Sequence, residues 1–367
     1  MKKILSLFLA VGLALPLFAQ PKGHINIPDL KGYVTLKCDF HIHTVFSDGT
    51  VWPTVRVDEA YFEGLDAISI TDHIEYQQYP KDIVGSHNRS YEIALESAML
   101  KGIILIKGSE ITRNMPPGHH NALFLTNSDE LVKPSWMDAF RAAKAQNAFI
   151  FFNHPYWLGY QSYSNKWHDD LTKLLDQGMM HGIEVVNYGL YSPEAHRWCL
   201  EKNLTMLGNT DIHSPIQEEI DFNFWKHRTM TLVFARSKTP EAIREALNER
   251  RTAVYNDDYI IGEEKYLKEL FENAVEWDIN KNEGTVYITF RNKSDLIFRL
   301  KNVSLDTGMG YFRECTIEPH GELTVTVNFR DGSGGYTPRD SGDVTFSIEN
   351  FLAQPKEGMI YTIKISK

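Results

Sequence analysis

Between about residues 33 and 255, short apolar runs alternate with longer amphipathic stretches. Ala148–Phe152 and Ile183–Val186 are apolar runs of strand length, whereas Arg89–Leu100 and Pro193–Lys202 have the spacing of amphipathic helices. Alternation of this kind predicts βα units around a parallel sheet, either open or closed.

The pattern changes near Tyr255. Residues 255–264, YNDDYIIGEE, predict a linker, and beyond an amphipathic turn near Lys265 strands of period two dominate. We therefore expect an α/β domain over 33–255 followed by a small antiparallel β-sandwich domain over 265–367. Because every candidate ligand described below precedes Asp258, we expect a chain truncated there to retain them.

The first 19 residues have the features of a secretory signal peptide. Lys2 and Lys3 precede an apolar run from Ile4 to Leu15, and Leu17-Phe18-Ala19 predicts a cleavage site. The apolar run is short for a membrane-spanning helix, so cleavage is favoured over an uncleaved anchor. We expect a mature chain without a transmembrane anchor, located in the periplasm or outside the cell.

Composition narrows the classes of function. The formal net charge is -10, and no dense basic run offsets it, so we expect no stable nucleic-acid binding. The three cysteines, Cys38, Cys199 and Cys315, are too few and too scattered for a disulfide framework or a thiolate metal site.

The main functional clue is where His, Asp and Glu fall. Five apolar runs each end in side chains of ligand type, namely His41 with His43, His73, Glu110, His154, and Asp211 with His213. In a β/α barrel such strand ends meet at one rim. Successive strand residues face opposite sides, so His41 and His43 share a face, as do Asp211 and His213. By the same parity Asp39 faces inward, and we expect it to orient His41.

A single His at a strand end is more often a surface or hydrogen-bonded residue than a ligand. Here five of the fourteen His occupy such positions and a sixth, His119, precedes an apolar run, together with Asp48, Glu110 and Asp211. This joint placement favours metal binding.

In these segments the sequence resembles the PHP (polymerase and histidinol phosphatase) domain family. The motifs HIHTVFSDGT, ITDH, GSEIT, FNHP and NTDIH occur in this order, within about Tyr33 to Tyr255. The resemblance implies a distorted seven-stranded β/α barrel, two or three divalent metal ions and phosphoesterase activity.

The resemblance also implies a ligand set. The first ion would be held by His41, His43, Glu110 and Asp211. Glu110 would bridge to a second ion completed by His119 and His154. The third ion would be held by Asp48, His73 and His213. Asp211, His213 and His43 are expected to act in catalysis, and Arg113 is expected to contact phosphate. His119 and His120 are adjacent and should point to opposite sides, so one is the ligand, and His119 is preferred.

The resulting hypothesis is hydrolysis of a small phosphorylated substrate by a metal-activated hydroxide at a di- or trinuclear site. Mixed nitrogen and oxygen ligands suit zinc, manganese or iron. One alternative is an amidohydrolase-like hydrolase, although Glu110 stands where that class has a bridging Lys. Another is a non-catalytic module that binds metal or phosphate. The export signal argues against histidinol phosphate, a cytoplasmic metabolite, as the natural substrate.

Overall fold

A computed structural model describes residues 22–221, 227–282, 285–306, 308–329 and 341–366. The expected signal peptide, residues 1–19, lies outside these ranges. Within them, no helix has both the length and the apolar character needed to cross a membrane.

The α-helices are α1 (Pro53–Phe62), α2 (Arg89–Lys101), α3 (Trp136–Ala145), α4 (Asp169–Asp176), α5 (Pro193–Lys202), α6 (Ile216–Glu219), α7 (Pro240–Asn248) and α8 (Glu264–Ala274). The first ten strands are β1 (Val34–Ile42), β2 (Ala67–Ile70), β3 (Ile104–Ile111), β4 (His120–Leu123), β5 (Phe149–Phe152), β6 (Gly182–Asn187), β7 (Leu190–Tyr191), β8 (Thr205–Asn209), β9 (Met230–Ala235) and β10 (Thr252–Asn256). The later strands are β11 (Tyr259–Gly262), β12 (Val275–Asn282), β13 (Thr285–Asn292), β14 (Phe298–Asn302), β15 (Met309–Gly310), β16 (Glu314–Ile317), β17 (Glu322–Phe329), β18 (Gly342–Gln354) and β19 (Glu357–Ile365).

Local signals explain where several helices begin. The hydroxyl of Ser192 accepts a hydrogen bond from a backbone N–H in the first turn of α5, and Thr239 does the same for α7. Both helices start with proline, whose fixed φ suits the first helical position and which has no N–H to leave unpaired.

The expected parallel sheet is instead mixed. β1, β2 and β3 pair in parallel, and so do β5, β6 and β8. β4 runs antiparallel to both of its neighbours, β3 and β5. The reason lies in the connection: residues 112–119 join β3 to β4 without the crossover helix that a parallel pair requires. β9 is likewise antiparallel to β1 and to β10.

Seven strands follow one another as β1, β2, β3, β4, β5, β6 and β8. A parallel bridge between Ile42 and Ile212 brings the end of β8 back to β1. Among the described residues, β1 and the end of β8 are joined by this single bridge and not by a ladder of paired residues. A closed seven-stranded barrel therefore stays a prediction, while the mixed sheet is established.

The C-terminal residues add a separate antiparallel sheet, in the order β12-β13-β17-β15. It packs on β14, β16, β18 and β19, and the apolar core between them includes Phe290, Phe298 and Phe346. The predicted linker at 255–264 is wrong: these residues form the hairpin of β10 and β11, and β11 then pairs in parallel with β18. The same apolar core also includes Ile68 of β2 and Leu232 of β9, because β11 and α8 join the α/β part of the chain to its C-terminal part.

Candidate metal centre

Two segments from opposite ends of the α/β region lie side by side at the centre of the site. The Asp211 N–H donates to the His41 carbonyl at 2.8 Å, and the His43 N–H donates to the Ile212 carbonyl at 3.0 Å. This pairing aligns the HIH and DIH motifs with their ligand side chains on the same side. As a result, Oδ1 of Asp211 lies 3.0 Å from Nε2 of both His41 and His43.

Glu110, at the end of β3, is fully buried between imidazoles on both sides. Its Oε1 lies 2.9 Å from Nδ1 of His119 and 3.9 Å from Nε2 of His154. Its Oε2 lies 2.9 Å from Nδ1 of His73. One carboxylate thus faces two separate groups of nitrogen atoms, as a bridging ligand would.

A further group surrounds Asp48, in the loop after β1. Nε2 of His73 and Nε2 of His213 each lie 3.3 Å from an oxygen of this carboxylate. Nδ1 of His43 lies 3.7 Å away, and the rings of His43 and His213 stack at 4.2 Å between centroids. His43 therefore lies between this group and the Asp211 group.

The donor set fits divalent metal ions. Four buried side-chain atoms have no hydrogen-bond partner, although nitrogen and carboxylate oxygen atoms lie close to one another here. They are Nε2 of His41, Nε2 of His43, Oδ1 of Asp48 and Oε2 of Glu110. Buried polar atoms are normally hydrogen-bonded, so converging lone pairs without aligned donors fit the coordination of a cation. Three sets of ligand atoms lie within 4.8 Å of one another: His43, Asp48, His73 and His213; His41, Glu110 and His154; and His41, His43 and Asp211.

The pKa shifts differ among these candidate ligands, which together are called the cluster below. Burial, together with the neighbouring His213 and His73, lowers the pKa of His43 to about 3, which keeps this imidazole neutral. Burial works to raise the pKa of Asp48, but hydrogen bonds with His213 and His73 hold it well below the ordinary value. A neutral imidazole and an ionised carboxylate are the protonation states that metal ligands need.

His41 behaves differently. Burial lowers its pKa, but the charges of Asp211 and Glu184 outweigh burial, so its pKa is raised well above the ordinary value. A proton on His41 competes with a cation for the same nitrogen. Metal binding must release that proton, so affinity should fall with falling pH.

Comparison with known proteins agrees with this geometry. A crystal structure of a two-domain protein from Bacteroides vulgatus ATCC 8482, which contains a predicted PHP-like metal-dependent phosphoesterase, is 51% identical, with a TM-score of 0.90. The match covers 95% of this chain and 100% of that chain. The chain belongs to the PHP-like family.

Two further matches concern separate parts of the chain. Residues 273–364 match a family described as an Ig-like domain, in accord with the C-terminal sheets. An uncharacterised protein of Methanocaldococcus jannaschii is 26% identical over 201 residues, which are 52% of this chain and 87% of that protein.

The orienting partner of His41 in this PHP-like protein differs from the expected one. Asp39 accepts from the backbone N–H of His41 and is engaged by Arg228 and Thr210, not by the His41 ring. Glu184 of β6 has that role, with Oε1 2.9 Å from Nδ1 of His41. Sequence reasoning missed Glu184, although a carboxylate inside the apolar run GIEVVN signals a buried polar partner.

The two adjacent histidines of the GHHN segment have opposite surroundings. His119 faces Glu110, with Nδ1 2.9 Å from Oε1. His120 is fully buried on the other side, between the rings of Phe140 and Phe152 at 4.9 and 5.0 Å. Burial lowers the pKa of His120 to about 3, so it is a neutral core residue. The structure therefore brings His119, and not its neighbour, to the cluster.

A buried arginine ties the two loops that carry His43 and His213 together. Arg56 of α1 donates to the carbonyls of His43, His213 and Ser214 at 2.9, 2.8 and 2.8 Å. Its charge is balanced by Glu59 at 2.8 Å. These contacts hold the backbone of both loops in one position.

Arg113, the residue expected to contact phosphate, is paired within the protein. Its guanidinium pairs with Glu75 at 2.8 Å and donates to the carbonyls of Lys133 and Pro134. Arg113 does not line either of the two cavities described below. These partners engage the guanidinium, and the expected contact of Arg113 with phosphate stays a prediction.

Two neighbouring cavities that share lining residues lie at the cluster. The cluster cavity, about 210 Å³, is lined by Asp48, His73, Glu110, His119, His154, Trp157, Asn187, Asp211 and His213. The side cavity, about 250 Å³, shares His154, Trp157, Asn187, Asp211 and His213 with it and continues along Tyr156, Tyr188, Leu190, Ser192 and Glu219. A bound molecule can therefore contact the cluster and the side cavity together.

The backbone around the cavities adopts uncommon conformations. His154, Asp211 and Tyr188 have positive φ values of 32°, 57° and 50°. Residues other than glycine adopt this region rarely, and such strain concentrates at functional sites. Here it turns the chain sharply just after β5 and β8, where the ligand side chains must face inward.

Proposed function

We propose that this protein hydrolyses a phosphate ester at a cluster of two or three divalent ions, either zinc, manganese or iron. The observation that carries the proposal is the convergence of buried, unpartnered nitrogen and oxygen atoms of His41, His43, Asp48 and Glu110. The residues proposed as ligands are His41, His43, Asp48, His73, Glu110, His119, His154, Asp211 and His213.

The charges favour an anionic substrate. The charge of three divalent ions would exceed that of the four carboxylates Asp48, Glu110, Asp211 and Glu184, so a net positive charge would remain to bind phosphate. When bound, the ions activate water and neutralise the charge that develops on the phosphoryl oxygens.

The protein's own residues keep this arrangement in place. Asp211 contacts His41 and His43 through one oxygen, so its displacement would disturb both. His213, which is partly exposed, lies where the cluster opens toward substrate. Asp211, His213 and His43 are therefore the residues proposed to act directly in catalysis.

The fold and location complete the proposal. We propose a PHP domain over 33–255, whose seven strands close as a distorted barrel, and a β-sandwich domain over 265–367. The match of residues 273–364 to an Ig-like domain supports the second. The signal-like residues 1–19 support export to the periplasm or beyond.

The test is phosphate release by the chain from Gln20 onward, with added Mn²⁺ or Zn²⁺ and a panel of monoesters, diesters and nucleotides. Asp211→Ala should lower bound metal and abolish release while the protein remains folded. The matched control is Asp278→Ala, which removes an exposed carboxylate of β12 and should retain full activity.

Two results would contradict the proposal. Full activity of Asp211→Ala would mean that the cluster is not the catalytic site. Absence of release from every ester, with metal measured in the protein, would favour a binding module or another hydrolysis.

A further inference from the structure

The side cavity has two kinds of wall. One wall consists of cluster residues, including His154, Asp211 and His213. The other is made of partly exposed apolar side chains, namely Tyr156, Trp157, Tyr188 and Leu190, which are 42%, 47%, 49% and 57% exposed. An ester whose phosphate lies at the cluster would place its alcohol part against this apolar wall.

Three polar side chains of the side cavity, those of Asn187, Ser192 and Glu219, are already engaged by the protein. The amide nitrogen of Asn187 donates to Glu184 at 3.0 Å, and the hydroxyl of Ser192 donates to Asn165 at 2.7 Å. The carboxylate of Glu219 accepts from the backbone N–H groups of residues 213 and 214. A ligand rich in hydroxyl groups would lose hydrogen bonds to water here and would regain few from these three side chains, which is unfavourable.

The charges of the lining residues disfavour a substrate that carries a second anionic group. Among the described lining residues of the two cavities there is no Lys or Arg, and Glu219 adds a negative charge. Binding of a further phosphate normally relies on Arg or Lys. Beyond the cluster itself, nothing in this lining would neutralise one.

We propose, on the basis of the phosphoesterase function above, that the side cavity holds the alcohol part of the substrate and that this part is one flat apolar ring. Its volume of about 250 Å³ is below the roughly 300–1,000 Å³ of sites for drug-sized molecules, which suits a single ring. Tyr156, Trp157 and Tyr188 offer faces and edges for offset or edge-on ring packing. The substrate class is thus a ring-bearing phosphate monoester without a second anionic group.

The test compares esters that differ only in the ring. With the metal-loaded full-length mature chain, 2-phenylethyl phosphate should exceed n-propyl phosphate in kcat/KM by at least about 10-fold, or about 1.4 kcal/mol. Both are esters of primary alcohols, so leaving-group chemistry is matched. Glucose 6-phosphate and fructose 1,6-bisphosphate should be no better than the propyl ester.

A binding measurement separates this inference from the proposed function. Calorimetry with 2-phenylethylphosphonate and n-propylphosphonate, which cannot be hydrolysed as esters, should give a Kd ratio of about 10 in favour of the ring. Tyr156→Ala and Leu190→Ser should each reduce that ratio at least about threefold. Tyr287→Ala, which removes a comparable partly exposed ring from β13, should leave the ratio unchanged.

The outcomes are distinct. Equal kcat/KM values, or a preference for the sugar phosphate or the bisphosphate, would overturn the inference. If no ester is hydrolysed but the ring phosphonate binds more tightly, the proposed function fails and the cavity assignment stands. If neither phosphonate binds the metal-loaded protein, the cavity assignment is wrong.

Discussion

Glu184→Gln is the substitution that most directly tests how the cluster is held. Oε1 of Glu184 contacts Nδ1 of His41 and accepts from Nδ2 of Asn209, both at 2.9 Å. Oε2 accepts from the backbone N–H of His154 at 2.8 Å and from Nδ2 of Asn187 at 3.0 Å. The carboxylate is an acceptor only, and the groups on both of its oxygens are donors.

Glutamine has the same shape but replaces one acceptor oxygen with an NH₂ group. If this group faces His154 and Asn187, two buried donors lose their acceptor. If it faces His41, Nδ1 can no longer donate, so the ring keeps its proton on Nε2, the nitrogen that points at Asp211 and Glu110, and Nδ2 of Asn209 loses its acceptor. Either orientation disturbs a proposed ligand.

The magnitude follows from these contacts. Two unsatisfied buried donors cost about 1–3 kcal/mol each, so we expect the free energy of unfolding to fall by about 2–6 kcal/mol. Loss of the carboxylate that orients a metal-binding histidine typically weakens metal affinity 10–100-fold, or about 1.4–2.7 kcal/mol.

The assay is metal affinity by competition with a chelator, measured from pH 6 to 8 beside thermal unfolding of the metal-free protein. Glu276→Gln, which changes an exposed carboxylate of β12, is the control. A purely structural role would lower stability but leave the metal Kd and its pH profile unchanged. Wild-type affinity in Glu184→Gln would refute the reasoning.

Three further changes have defined outcomes. Arg56→Met should lower the free energy of unfolding by about 3–5 kcal/mol, because it leaves the buried charge of Glu59 unpaired, as measured by denaturant unfolding. His196→Gln should make stability less sensitive to acid. Burial holds the folded-state pKa of His196 at about 4, below the unfolded value of about 6.5. The free energy of unfolding of the wild type should therefore fall by up to about 3 kcal/mol as the pH drops from about 6.5 to about 4. Truncation after Asp258 should give insoluble or unfolded protein, since it removes β11 and α8 from the shared core, contrary to what the sequence led us to expect.

Each of these predictions has a control or a contradicting result. Arg89→Met removes an exposed arginine and should change stability by less than about 1 kcal/mol. Parallel acid profiles of wild type and His196→Gln would show that this histidine does not titrate on unfolding. A soluble, metal-binding chain ending at Asp258 would mean that the first sheet folds without its C-terminal neighbour.

Much of the fold was predictable because it is written in local patterns. The helix over 193–202 begins and ends where its proline start and helical spacing predicted, and the runs Ala148–Phe152 and Ile183–Val186 lie within one residue of the ends of β5 and β6. The orientation of β4 was not predictable from apolar periodicity, which does not distinguish parallel from antiparallel pairing. The β10–β11 hairpin was missed because Gly262 and its acidic neighbours resemble a linker.

The candidate ligands were visible in the sequence because His, Asp and Glu follow the apolar runs, and in HIH strand alternation puts both His side chains on one face. DIH lies beyond the end of β8, and Asp211 has a positive φ, so the pairing with HIH and not alternation alone directs its side chains to the site. The partners of the ligands were not visible. Glu184 and His41 are 143 residues apart, and Arg56 lies 157 residues from His213, whose carbonyl it binds. Such contacts depend on which strands become neighbours when the core packs, and no local period encodes that. The chain by itself therefore specified which atoms could bind metal, and tertiary packing decided what orients them and that an apolar cavity lies beside them.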